Sequence, residues 1–372
     1  MKNNRNYIVN VVFLVIILLL PGCLKDDVNP VNSISFSSNA LLLNYVETNG
    51  NYINSQDMPS IVDVDEVYNN LDNYLIIDVR SKSDYSSGHI SGANNVQNDS
   101  LIQYLNSMSN ISQYPKIIIV SNDGQASAYY TSLLRIYGFK NVYSLNFGMA
   151  LWNNTFSNNW IEHAKDHELQ YHLEGNVLYP GDPNMKLPDI QLEIQNGNKQ
   201  NNVKSLITEI IKEGFNSQTY VNLSPPDTVV SINENDEEIK TFYFYFDNED
   251  ISDFYIICFG SIRLYHSLEI FPYPTGHIPD AYLYFSEDLQ SSTSLQSLPT
   301  NGKIVIYSVS GQISAFVVAY LRLLGYNAKS LLYGANGFTY TRLVYDKDFF
   351  TPYVFLSSNI RNYPYVIGSS SK

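Results

Sequence analysis

The chain's 372 residues exceed what one hydrophobic core comfortably serves, so two domains are expected. With 44% hydrophobic, 14% aromatic and only 16% charged residues, the composition excludes wholesale disorder and suits an extracytoplasmic protein with a polar, weakly charged surface. A formal net charge of -14 excludes nucleic acid as a partner, since phosphate binding needs a basic footprint, and it argues equally against anionic lipid.

Residues 1–22 read as an export signal: Lys2 and Arg5 form a basic start, and the apolar run at 8–20 is too short to span a bilayer comfortably. Its end, Leu20-Pro21-Gly22-Cys23, is similar to the lipobox of bacterial lipoproteins, although Pro21 is unusual there. That resemblance implies cleavage, lipidation of Cys23 and a mature N-terminus held at a membrane. An uncleaved membrane anchor is the alternative. Residues 23–38, rich in Asn, Ser and Asp, read as a flexible tether. Within it, Lys25-Asp26-Asp27 is similar to surface-export signals of some Gram-negative lipoproteins, or is simply the start of a solvated linker.

The first domain is placed at 39–178. YLIIDVR (74–80) and IIIVS (117–121) read as short buried strands, 126–137 as a helix with apolar residues at helical spacing, and NVYSL (141–145) as a further strand. Strand, helix, strand in that order implies parallel pairing through right-handed crossovers. In IEHAKDHELQYH, His163 and His167 are four apart, a spacing that puts both on one helical face near Glu162 or Asp166. That is a zinc geometry without a firm third ligand, and an exposed amphipathic helix explains the pattern as well.

Residues 179–200, rich in Pro, Gly and Asn, read as a linker, and the second domain is placed at 201–372. Its first helix, 201–214, carries Val203, Leu206, Ile207, Ile210 and Ile211 as one apolar stripe, which points to core. The remaining cysteine, Cys258 in DFYIICFGS, has apolar neighbours that predict a buried strand and a packed, unreactive thiol, and no intramolecular disulfide framework follows. An ungapped alignment of 117–138 with 304–325 gives ten identities in 22 positions, among them Ser121/Ser308, Gly124/Gly311 and Gln125/Gln312. SGHISGA (87–93) answers TGHIPDA (275–281), and SLNFGMALW answers SLLYGANGF. Two copies of one domain follow.

IIDVRSKSDYSSGHISGANNV, followed by IIIVSNDGQASAYYTSLLRIYGFKNVYSLNFGMALW, resembles a rhodanese domain over nearly its whole length. The stretch from about residue 242 to 338 is similar but more divergent. The resemblance implies an α/β fold of two rhodanese-like domains, each a mostly parallel β-sheet flanked by helices. In that family a cysteine ordinarily takes sulfane sulfur from a donor such as thiosulfate as a persulfide and passes it to a thiophilic acceptor. An arginine commonly sits five residues later. Here Ser121 and Ser308 stand at the nucleophile position, followed by the loops Asn122, Asp123, Gly124, Gln125, Ala126, Ser127 and Val309, Ser310, Gly311, Gln312, Ile313, Ser314. Ala126 and Ile313 stand where the arginine would be.

Asp78 and Arg80 are expected to tie strand to loops as an ion pair, and Cys258 aligns with Asp78, not with the nucleophile. His89 and His277, in their Gly-His-Ile stretches, are expected to hold backbone; an approach to the loop as a base is the other reading. Neither loop contains a histidine, and an alcohol starts far too high in pKa to attack without a general base. The chain is therefore expected to be a non-catalytic, membrane-anchored binding or scaffolding module of the cell envelope. The membrane would be met through lipidated Cys23, with an envelope protein as a further partner and no cofactor or nucleic acid. A sulfurtransferase with another nucleophile, or a serine-dependent hydrolase using the same pocket, is the alternative.

Overall fold

The computed structural model describes residues 38–49, 51–190, 199–233, 235–268 and 271–368. The export signal, Cys23, the tether up to residue 37 and linker residues 191–198 lie outside the described residues.

Five short strands build the first sheet: β1 (Ile61–Val62), β2 (Leu75–Asp78), β3 (Asn94–Asn95), β4 (Ile117–Val120) and β5 (Val142–Leu145). Their order is β1-β5-β4-β2-β3, and every pairing is parallel. After β6 (Tyr220–Val221) come two small antiparallel ribbons, β7 (Asp227–Ile232) with β8 (Glu238–Tyr243), and β9 (Tyr245–Phe246) with β10 (Glu249–Asp250). Then β11 (Phe254–Phe259), β12 (Tyr282–Tyr284), β13 (Lys303–Tyr307) and β14 (Ala328–Leu331) complete a second parallel sheet with β6, in the order β12-β11-β13-β14-β6. Read from β6, this is the order of the first sheet. The register agrees too: Asp78 pairs with Val120 and Cys258 with Tyr307. The chain thus holds two rhodanese-like β/α domains, each a mostly parallel sheet flanked by helices.

The central strands form because they are runs of β-branched residues with nothing polar to turn outward. All four residues of β4 are buried, as expected for a strand covered on both faces. The helices that follow, Gln125–Tyr137 and Gln312–Leu323, are buried almost all round. One side of each lies on its own sheet and the other on its counterpart, so that Ser132 Oγ donates to the Phe316 carbonyl at 3.0 Å. Leu133, Leu134, Phe316 and Val317 accordingly belong to one hydrophobic cluster spanning both copies. At roughly 1.5–3 kcal/mol for each fully buried large apolar side chain, this seam is a principal source of stability.

One sequence expectation, the core stripe, is met here, and one changes. The stripe helix (Lys199–Glu213) buries Val203, Ile207, Ile210 and Ile211 in the shared cluster and not within the second domain alone. Asn98 Nδ2 of the first copy donates to the carbonyls of Ile211 and Lys212, at 3.0 and 2.8 Å. His163 and His167 share no helical face, because the helix Asn158–His163 ends there: Ala164 leaves helical geometry at φ -76°, ψ 82°. His167 instead opens the 3-10 turn Glu168–His172. No group of three His, Cys, Asp or Glu side chains suited to a metal occurs among the described residues, nor any helix long and apolar enough to cross a membrane.

Candidate functional site

β4 delivers Ser121 to the start of helix Gln125–Tyr137 through a tight turn that Gly124 permits at φ 85°. The turn folds the backbone around the hydroxyl. Ser121 Oγ accepts from the amides of Gly124 (3.1 Å) and Ser127 (3.3 Å) and donates to Ser127 Oγ at 3.1 Å. Ser127 Oγ lies 3.0 Å from the Gly124 carbonyl and 2.8 Å from Ser144 Oγ. The second copy repeats the arrangement. Ser308 Oγ accepts from the Ser314 amide (3.2 Å) and faces Ser314 Oγ (3.4 Å), which reaches the Gly311 carbonyl (3.0 Å) and Ser330 Oγ (2.9 Å). Each focus can hold a hydrogen-bonded hydroxyl, and neither offers it a base.

The candidate bases are engaged elsewhere. Asp123 Oδ1 accepts from the Gln125 amide (3.0 Å) and Oδ2 from Gln125 Nε2 (3.2 Å), so this carboxylate is engaged in the turn that enters the helix. Burial raises its pKa. His89 stacks on Tyr85 at 3.7 Å, pairs Nδ1 with the Tyr85 carbonyl at 2.9 Å and bridges its backbone to Val366. His277 does the same with Tyr265, at 3.8 and 3.1 Å, and bridges to Glu174. Burial lowers the His277 pKa. Both imidazoles hold backbone.

Asp78 and Arg80 form a buried ion pair, Nη2 to Oδ2 at 2.6 Å, and Arg80 also donates to the Gly88 carbonyl at 2.7 Å. In the second copy Cys258 occupies the place of Asp78, and burial pushes its thiol up to about 12. It is a thiol, not a thiolate, at neutral pH. The guanidinium there comes instead from Arg342 on helix Tyr340–Tyr345, which donates to the carbonyls of Leu264 and Arg263.

Sequence reasoning missed a reciprocal exchange between the loops. Gln125 Oε1 accepts from the Tyr333 amide of the second copy, and Gln312 Oε1 from the Phe147 amide of the first, both at 2.9 Å. Both glutamines are fully buried, and Phe147 and Tyr333 sit at φ 53° and 62°. A Cβ on Gly124 would lie 2.2 Å from Gln312 Oε1, and one on Gly311 2.4 Å from Gln125 Oε1. The two serine loops therefore face and close one another. Ser121 is 3% and Ser308 0% exposed. The identity of Gln125 and Gln312 across the repeat was the one available signal.

Among known proteins, the rhodanese-like domain family matches residues 63–155. The thiosulfate sulfurtransferase GlpE of Pseudomonas entomophila (strain L48) is 30% identical over 82 residues, 22% of this chain and 72% of that protein. GlpE of Stutzerimonas stutzeri (strain A1501) is 32% identical over 89 residues, 24% and 78% of the respective lengths. A solved thiosulfate sulfurtransferase from Pseudomonas aeruginosa aligns over 90% of this chain and 70% of its own at 12% identity, with a TM-score of 0.25, too distant to add to the fold described above.

Proposed function

Since this chain belongs to the rhodanese-like family, we propose that it serves as a tandem, membrane-tethered binding or scaffolding module of a cell envelope and not as a sulfurtransferase. One observation carries the reading: each amide focus holds a serine hydroxyl where the family ordinarily has its cysteine, and a glutamine of the other copy closes over it. Converging amides, two at Ser121 and one at Ser308, can stabilise a thiolate whose starting pKa is about 8.5. They cannot bring an alcohol to its anion, and serine forms no stable equivalent of a persulfide. Ala126 and Ile313 add no cation for an anionic donor. A serine-dependent hydrolase finds no support either, because Ser121 gives its proton to Ser127 and not to a base.

The activity by which the relatives are named favours a second reading, sulfur transfer through a different thiol. Within residues 24–372 that thiol is Cys258, which burial keeps protonated. Purified residues 24–372 should form no thiocyanate from thiosulfate and cyanide above background. Turnover would overturn the module reading, and its loss in Cys258→Ala would assign the transfer to Cys258. The tether belongs to the same proposal: Cys23→Ser should abolish fatty-acid labelling and release soluble protein, and labelling that persists would remove the anchor.

A further inference from the structure

Each copy ends in an arm that crosses onto the other. Tyr363 N donates to the Trp152 carbonyl at 2.9 Å, and His167 N to the Phe338 carbonyl at 3.2 Å. Trp152 and Phe338 end the matching segments SLNFGMALW and SLLYGANGF. Tyr363 and His167 therefore correspond; two positions earlier, Arg361 N donates to the Leu151 carbonyl at 3.1 Å and Lys165 N to that of Asn336 at 3.0 Å, one residue out of register, so the two cations stand at similar places on the arms. On the facing side, Asp65 lies three residues beyond β1 and Ser224 three residues beyond β6. Tyr363 donates to Asp65 Oδ1 at 2.7 Å, and His167 Nε2 lies 3.0 Å from the Ser224 carbonyl.

The equivalence exposes a loss. In the first copy Arg361 Nε meets Asp65 Oδ1 at 2.6 Å, an arm cation against a carboxylate of the sheet edge. In the second copy the cation is kept as Lys165 while the carboxylate has become Ser224. Lys165 enters no ion pair among the described residues. Two acidic side chains also line the cleft: Asp166 accepts from Thr341 through both oxygens, at 2.9 and 2.5 Å, whereas Glu168 lies 3.9 Å from His172, beyond hydrogen-bond reach. His167 accepts from the Leu169 amide through Nδ1, and burial lowers its pKa, so it stays neutral. Beside Lys165 and Ser224 opens a cleft of about 540 Å³. It lies outside the carboxyl ends of β6 and β14, where parallel sheets place ligands, and is of small-molecule size. Its apolar walls include Pro225, Leu332, Tyr333 and Phe338, with the His163 ring parallel to Tyr333 at 4.3 Å.

We propose that this cleft binds a small organic carboxylate, whose carboxylate takes beside Lys165 the place that Asp65 takes beside Arg361 and whose apolar body lies against Tyr333, Phe338 and Pro225. The site is independent of whether either serine loop reacts. Ligand-observed saturation-transfer NMR on residues 24–372 tests it with benzoate as the probe and benzylamine as its cationic counterpart. Benzoate should give a signal and benzylamine none. Lys165→Arg should keep the benzoate signal, serving also as the folding control. Lys165→Glu should weaken binding about tenfold or more, as should Ser224→Asp, which rebuilds the first copy's carboxylate opposite the lysine. No benzoate signal, an equal signal from benzylamine, or benzoate binding unmoved by both Lys165→Glu and Ser224→Asp would overturn the proposal.

Discussion

At Ser121, two amides and the first turn of a 13-residue helix converge on a serine hydroxyl. A thiol at that point would meet the same donors, which favour its anion. Ser121→Cys, combined with Cys258→Ala in residues 24–372, should therefore titrate below the ordinary value of about 8.5, read from thiolate absorbance against pH. A value at or above it would show that the loop no longer favours an anion. Asp78 poses a different question, because its partner Arg80 is equally buried. Asp78→Ala leaves a buried guanidinium uncompensated and should cost about 3–5 kcal/mol in urea unfolding. Glu209→Ala, which breaks the exposed pair with Lys212, should cost no more than about 0.5 kcal/mol. Equal losses would contradict this weighting. Burial also holds His167 and His277 below the ordinary value of 6.5. The unfolded chain then takes up protons first, so their contribution is full above about pH 6.5 and falls as pH drops toward the folded-state values. Tm should decline from neutral pH toward about pH 5, and less steeply in the His167→Asn, His277→Asn double variant. An unchanged slope would assign the decline to other groups.

The elements that join the copies are the helix starts, where Gly124 faces Gln312 and Gly311 faces Gln125. Gly124→Ala adds a Cβ at a left-handed φ and 2.2 Å from Gln312 Oε1, and should destabilise by more than about 1 kcal/mol. Part of that loss should vanish when Gln312→Ala is already present, and a strictly additive double-mutant cycle would show that the two loops do not press on each other. The strand and helix on the first copy's side of this seam were legible in the sequence, since IIIV admits no exposed face, and the repeat carried the same signal to 304–325. The joint itself was not legible. A glutamine at a helix start reads locally as a solvated residue, and only the other copy's backbone makes it a buried one. The spacing of His163 and His167 misled because four residues suggest one helical face, whereas Lys165 N leaves the helix to donate to the Asn336 carbonyl at 3.0 Å. The ribbon β7–β8 escaped the sequence reading because both its faces are largely exposed, so no apolar alternation marks it. Arg342 went unseen for a related reason: it enters the site of the lost Asp78–Arg80 pair from a distant helix.

For the whole molecule, the shared cluster makes the two copies one folding unit, with the helix Lys199–Glu213 laid across both. Residues 38–368 should unfold in a single calorimetric transition, and two resolved transitions would contradict a common core. Closing each loop against the other also makes Ser121 and Ser308 part of that core, which is the observation behind the proposal of a rhodanese-like module without sulfur-transfer chemistry. The most direct test is the intact mass of residues 24–372 after incubation with excess thiosulfate. The protein should keep its mass, because Ser121 and Ser308 cannot carry sulfur and Cys258 is a buried, protonated thiol. A gain of one sulfur atom, removed by cyanide, would contradict the account.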